Sequence, residues 1–72
     1  MRSDHATVLV SSVLSAMTYS HEATLELVFR SGAIYRYFSV PPRVVEELIA
    51  ATSKGAYFNR HVRNRFRVQR LT

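Results

Sequence analysis

The fold of this chain is decided by residues 24–40, which read TLELVFRSGAIYRYFSV. In the first seven, apolar side chains recur at every second position, at Leu25, Leu27 and Phe29. This two-residue period is typical of a strand that buries one face. Residues 33–40 are rich in Ile, Tyr, Phe and Val, which favours a second strand. The loop at 30–32 contains Gly32, which adopts a positive φ at low cost, so a tight hairpin is the expected connection.

Two registers of this hairpin are open, and they place Tyr35 and Tyr37 on opposite faces of the sheet. A three-residue loop with a glycine bulge pairs Phe29 with Ala33, so that both tyrosines become core rings. A two-residue loop shifts the register by one and leaves both rings on the open face, as a stacking platform for nucleobases. The bulged loop is favoured, because the shorter loop requires a positive φ at Ser31.

Two segments upstream extend the hairpin into a meander. Residues 13–19 predict a third strand, and residues 20–23 predict the turn that joins it to the hairpin. Residues 7–10 are rich in β-branched side chains and predict either an extension of that strand or a separate short one. The strands are expected to run antiparallel in chain order.

Helical patterns follow the sheet. Pro41 and Pro42 end the strand region, and apolar residues at helical spacing then predict a helix over about 42–52. A second helix is predicted over about 56–65, and residues 67–72 form either a final strand or a tail. The fold class is therefore α+β, an antiparallel three-stranded meander with an optional extra strand, followed by two helices on one face.

Length and composition limit the classes of protein that this chain can be. Its 72 residues predict a single domain over 1–72 with a small core, and its lack of cysteine excludes a disulfide framework. No apolar run approaches the roughly 20 residues that span a bilayer or the apolar region of a signal peptide. We expect a cytoplasmic protein with no membrane partner.

The net charge of +5 is unevenly placed. Residues 1–53 carry four arginines and five acidic residues, a net charge of −1. Residues 54–72 carry one lysine and five arginines with no acid, a net charge of +6. A solvated basic surface that aids solubility is one interpretation. The other interpretation is a phosphate-binding surface, because the planar guanidinium of arginine binds phosphate through two parallel hydrogen bonds.

If the second helix persists, Arg60, Arg63 and Arg67 fall at i, i+3 and i+7 along one helical face. Lys54 and Arg43 are expected near the edges of that face. The region around Lys54 is either a phosphate-holding helix start or a plain corner with a glycine after the first helix. The predicted nucleic-acid-binding residues are Arg60, Arg63, Arg67 and Lys54, with Arg36 and Tyr57 as secondary contacts.

Motifs along most of the chain, about Val10–Phe66, resemble the KTSC domain family. The most distinctive are Tyr35-Arg36-Tyr37 and Ser53-x-Gly55-x-Tyr57-Phe58-Asn59. The chain departs from the family pattern at Thr18, where the family often has glycine. The resemblance implies a domain of unknown function that also occurs at the C-terminus of some lysyl-tRNA synthetases. Through that attachment it implies RNA binding, and this chain looks like a free-standing form of the domain.

The sequence predicts no catalytic centre, metal site or cofactor. The histidines His5, His21 and His61 are scattered and no acidic cluster accompanies them. Glu46 and Glu47 are adjacent, so a helix points them about 100° apart and they do not form a catalytic pair.

A second hypothesis is a protein-interaction or self-associating module, such as a homodimer. A sheet that is covered on one side leaves Val28, Ile34 and Phe38 as candidates for exposure on the other. An exposed apolar patch of that kind marks a partner surface.

Overall fold

Five antiparallel strands form one sheet, and two helices pack on one of its faces. The computed structural model describes residues 6–72, so His5 lies outside the described residues. The strands are β1 Ala6–Val8, β2 Leu14–Tyr19, β3 Leu25–Phe29, β4 Ile34–Tyr37 and β5 Val68–Arg70. The helices are α1 Pro42–Ala50 and α2 Lys54–His61. The strand order follows the chain, β1-β2-β3-β4-β5, and every neighbouring pair is antiparallel.

The α+β prediction is confirmed, with a wider sheet than the central meander alone. The segment at 6–8 pairs separately with β2, and the segment at 68–70 pairs with β4. Each adds a three-residue edge strand, which is too short to show a reliable period in sequence.

The β3–β4 hairpin adopts the bulged register. The Phe29 N–H donates to the Ala33 carbonyl at 2.9 Å, and the Gly32 N–H donates to the Phe29 carbonyl at 2.9 Å. Gly32 has a φ of +98°, as the bulge requires. Tyr35 therefore lies opposite Leu27 on the face that the helices cover, and the adjacent position of each strand points to the open face.

The core lies between this sheet face and the two helices. Leucines from two strands are fully buried there, together with side chains from α1 and the end of α2: Leu14, Leu25, Leu27, Leu48 and Val62. The phenol of Tyr19 donates a hydrogen bond of 2.6 Å to the Val40 carbonyl, which ties β2 to the segment before α1. No side-chain polar atom buried within the described part of the chain lacks a partner.

The prediction that the second helix reaches Arg65 was wrong, because α2 ends at His61. The N–H groups of Val62 and Arg63 both donate to the Phe58 carbonyl, and Asn64 adopts a φ of +62°. Asparagine tolerates this left-handed conformation, which ends a helix and reverses the chain. The reversal brings the segment that follows to the edge of β4.

The corner between the helices also differs from the prediction. α1 ends at Ala50, two residues before the expected end. Ser53 caps α2 by accepting a hydrogen bond from the Ala56 N–H, so Gly55 lies inside α2 and not after α1. Gly55 is buried against Val13, where a Cβ atom would meet a valine methyl group at 2.9 Å. Neither helix in residues 6–72 is long and apolar enough to cross a bilayer.

Candidate nucleic-acid interface

The predicted arginine stripe does not lie on one helical face. Arg60 lies in the last turn of α2, Arg63 in the turn after it, and Arg67 beside the start of β5. The Arg67 carbonyl accepts a hydrogen bond from the Phe38 N–H, and its guanidinium carbon lies 5.4 Å from the Phe38 ring centroid. Phe38 and Arg36 line one depression on the open sheet face. The turn at Asn64 therefore carries Arg67 to the side of the sheet opposite α2.

The arginines instead follow the chain from the last turn of α2 to β5, which is an edge strand of the sheet. We call the following five side chains the arginine edge: Arg60, Arg63, Arg65, Arg67 and Arg70. All five are exposed. Because side chains alternate along a strand, Arg70 lies on the helix face, with its guanidinium carbon 5.6 Å from the Tyr35 ring centroid. The positive charge thus extends from the helix face around β5 to the open face.

No Asp or Glu side chain within residues 6–72 forms an ion pair with the arginine edge. The ion pair found within residues 6–72 joins Arg36 to Glu26 at 3.1 Å and involves none of the five edge arginines. Arg70 also donates a hydrogen bond to the backbone oxygen of Thr72. Arg36, a predicted secondary contact, is partly neutralised on the open face.

The two remaining predicted residues lie away from the arginine edge. The Lys54 ammonium donates to the Ala51 carbonyl at 3.0 Å, at the opposite end of α2 and roughly 10 Å from His61 along the axis. The Tyr57 phenol turns to α1, where it donates to the Glu47 carboxylate at 2.7 Å. Within residues 6–72, no group of three or more His, Asp or Glu side chains is arranged to hold a metal ion.

A cleft that the sequence did not indicate opens beside the arginine edge. We call it the tyrosine cleft; it has a volume of about 440 Å³ and lies between the end of α2 and the β4–β5 edge. Its residues include the aromatic rings Phe29, Tyr35 and Tyr37 and the polar side chains Asn59, Arg63 and Asn64. The cleft opens beside the last turn of α2, a helix of eight residues, and the turn that follows it. Tyr35 and Arg63 are 28 positions apart in the chain, so only the tertiary fold brings them together.

Tyr37 in the tyrosine cleft and Tyr57 against α1 both have raised pKa values. Burial raises the pKa of Tyr37 to about 12, aided by Tyr35 and opposed by the nearby Arg63 guanidinium. Loss of solvent raises the pKa of Tyr57 to about 12 as well, with further contributions from its hydrogen bond to Glu47 and the charge of that carboxylate. The ordinary tyrosine value is about 10.

We expect these two phenols to make the fold sensitive to alkaline pH. Between about pH 10 and 12 the unfolded chain releases both protons while the native state retains them, so the free energy of unfolding falls as the pH rises. Urea unfolding at about pH 9 and 11, followed by circular dichroism, measures this fall. The double variant Tyr37→Phe, Tyr57→Phe should lose most of the alkaline decrease. An equal decrease in that variant would contradict the assignment.

Comparison with known proteins finds a matching domain family and several related sequences. The family model described as the KTSC domain matches residues 10–66. A lysine–tRNA ligase from Nostoc punctiforme is 40% identical over 62 residues, which are 85% of this chain and 11% of the ligase. The chain therefore spans about a tenth of the length of that ligase.

Two further relatives match most of their own length. An uncharacterized protein from Stutzerimonas stutzeri is 50% identical over 52 residues, 71% of this chain and 73% of that protein. The crystal structure of a KTSC domain protein from Yersinia pestis superposes with a TM-score of 0.91 at 25% identity. The superposition covers 97% of this chain and 100% of the other.

Proposed function

The chain belongs to the KTSC domain family, and from that premise we propose that it is a small non-catalytic module that binds RNA or another nucleic acid through backbone phosphates. The observation that carries this proposal is the arginine edge, five exposed guanidinium groups with no Asp or Glu side chain paired to them within residues 6–72. Guanidinium groups bind phosphate oxygens in pairs of parallel hydrogen bonds.

The shape of the arginine edge favours a flexible strand as the ligand. Arg67 lies on the open face and Arg70 on the helix face, so the arginine edge reaches both faces of the sheet around β5. A single strand bends around such an edge, whereas a duplex is stiff over this length. The relative from Nostoc punctiforme, whose name specifies a tRNA ligase, supports a nucleic acid as the partner class.

Salt titration tests the proposal directly. Each phosphate contact with a single strand contributes about −0.7 to the slope of log affinity against log salt, so three to five contacts give a slope of about −2 to −3.5. A labelled single-stranded RNA, with DNA of the same sequence in parallel, is titrated by fluorescence anisotropy at several salt concentrations. Saturable binding with a slope in this range is the expected result. No saturable binding at low salt, or an affinity that is indifferent to salt, would overturn the proposal.

Self-association through the open sheet face stays a prediction. Val8, which is 81% exposed, is paired with Ala16, and Ala16 with Val28, so apolar positions cross this face. The Glu26–Arg36 ion pair lies beside them, and Arg67 lies over Phe38, which interrupts the apolar surface. The nucleic-acid proposal is therefore better supported. Sedimentation at high protein concentration checks the alternative, and a strict monomer would contradict it.

A further inference from the structure

Aromatic neighbours and one arginine surround the ring of Tyr35 on the helix face of the sheet. Phe29 packs edge-to-face against it with centroids 5.7 Å apart, and Tyr37 stacks beside it at 6.4 Å. Tyr37, two residues further along β4, is 5% exposed because Phe58 of α2 packs against it. Tyr35 is only half-buried. The tyrosine cleft thus offers a pre-positioned aromatic surface of the kind on which planar rings stack.

Polar groups line the same cleft opposite the ring. The Asn59 amide oxygen accepts a hydrogen bond from Arg63 at 3.5 Å, the long limit for such a bond, and both side chains are exposed. Amide and guanidinium groups of this kind form hydrogen bonds with base edges. The exposed Arg70 guanidinium lies over the Tyr35 ring, with its carbon 5.6 Å from the ring centroid, so a base that stacks there displaces it toward the phosphate of the same strand. The volume of about 440 Å³ falls within the usual range for small-molecule sites.

We propose that the tyrosine cleft binds one unpaired nucleobase, stacked on Tyr35, from a single strand whose phosphates lie along the arginine edge. The inference rests on the proposed function and adds the base to the phosphates as a recognised group. Tyr35 provides the stacking surface, Asn59 and Arg63 face the base edge, and Arg70 binds the adjacent phosphate. Affinity then depends on the presence of a base as well as on charge.

The test compares a short single-stranded RNA with an abasic oligomer that has the same number of phosphates. The wild-type protein should bind the RNA more tightly than the abasic oligomer. Tyr35→Leu, which keeps apolar volume but removes the ring, should weaken RNA binding by roughly 5- to 100-fold and leave abasic binding unchanged. Tyr35→Phe keeps the ring and should retain the RNA affinity.

The matched control is Phe38→Leu on the opposite face. Phe38 is also a half-buried aromatic residue with an arginine over its ring, at 5.4 Å, but it lies outside the cleft. This variant should bind both oligomers like the wild-type protein. Thermal unfolding of each variant shows whether it remains folded at the temperature of the titration.

The outcomes separate the two proposals. If the wild-type protein binds neither oligomer, the proposed function itself fails. If it binds both equally and Tyr35→Leu changes neither affinity, phosphate binding stands and the nucleobase site is overturned. An equal loss for both oligomers in a folded Tyr35→Leu variant also overturns the site, because the ring then has only a structural role. A loss in Phe38→Leu that affects the RNA but not the abasic oligomer would place the base on the open face and overturn the site as well.

Discussion

Replacing Leu27 with alanine is expected to lower the free energy of unfolding by about 2–5 kcal/mol. Leu27 is fully buried in the central strand β3, between Met17 of β2 and Tyr35 of β4. The substitution removes apolar burial and leaves a cavity at the middle of the sheet. A domain of this size has a total stability of roughly 4–11 kcal/mol, so the loss is a large fraction of it. The melting temperature should fall by roughly 10–40 °C in thermal unfolding followed by circular dichroism.

Val28→Ala is the matched control for this substitution. Val28 is the next residue of β3, but it points to the open face and is half-buried. We expect a loss of about 1 kcal/mol or less. Because a register shift of one residue exchanges the two faces, equal losses for Leu27→Ala and Val28→Ala would contradict the bulged register.

A variant in which Arg63, Arg67 and Arg70 are all changed to glutamine is expected to bind single-stranded RNA about 100-fold more weakly at 0.1 M salt. Each lost phosphate contact removes about 0.7 from the magnitude of the salt slope, equivalent to about fivefold in affinity at that concentration. The slope of the triple variant should therefore be smaller in magnitude by about 2. Anisotropy titration at several salt concentrations measures both quantities, and glutamine keeps each side chain polar and long.

Arg43→Gln provides the matched single control for Arg67→Gln. Arg43 is also exposed, but it lies in the first turn of α1 near Tyr57, whose pKa it lowers. Both substitutions change the net charge by one. We expect Arg67→Gln to lower the affinity about fivefold and Arg43→Gln to leave the salt slope unchanged. Equal effects would show that net charge, and not the arginine edge, controls binding.

The central hairpin was predictable because its determinants are local. Alternation in β3 and the glycine at position 32 specify the strand, the turn and the buried face together. The end of α2 was not predictable from periodicity. Phe66 continues the spacing of Phe58 and Val62, yet it packs against the core from the irregular segment after Asn64. An apolar residue at helical spacing shows that it is buried, and it does not require that the helix continue.

The candidate site was predictable in its charge but not in its arrangement. The excess of arginine after residue 54 can be counted directly in the sequence, and these five arginines form the arginine edge. The separation of Arg67 from α2 depends on one backbone conformation, at Asn64. The tyrosine cleft opens beside the last turn of α2, a helix whose length the apolar spacing overstated.

β5 has a consequence for how long a ligand stays bound. The strand has three residues, all of them exposed, and it pairs only with β4. Two further backbone hydrogen bonds flank the strand. The Phe38 N–H donates one to the Arg67 carbonyl at 2.9 Å, and the Leu71 N–H donates the other to the Ile34 carbonyl at 2.8 Å. A strand with one neighbour and no buried side chain detaches at a small fraction of the global unfolding free energy. Detachment would displace Arg67 and Arg70 together, so the residence time of a bound strand depends on these backbone hydrogen bonds as well as on guanidinium contacts.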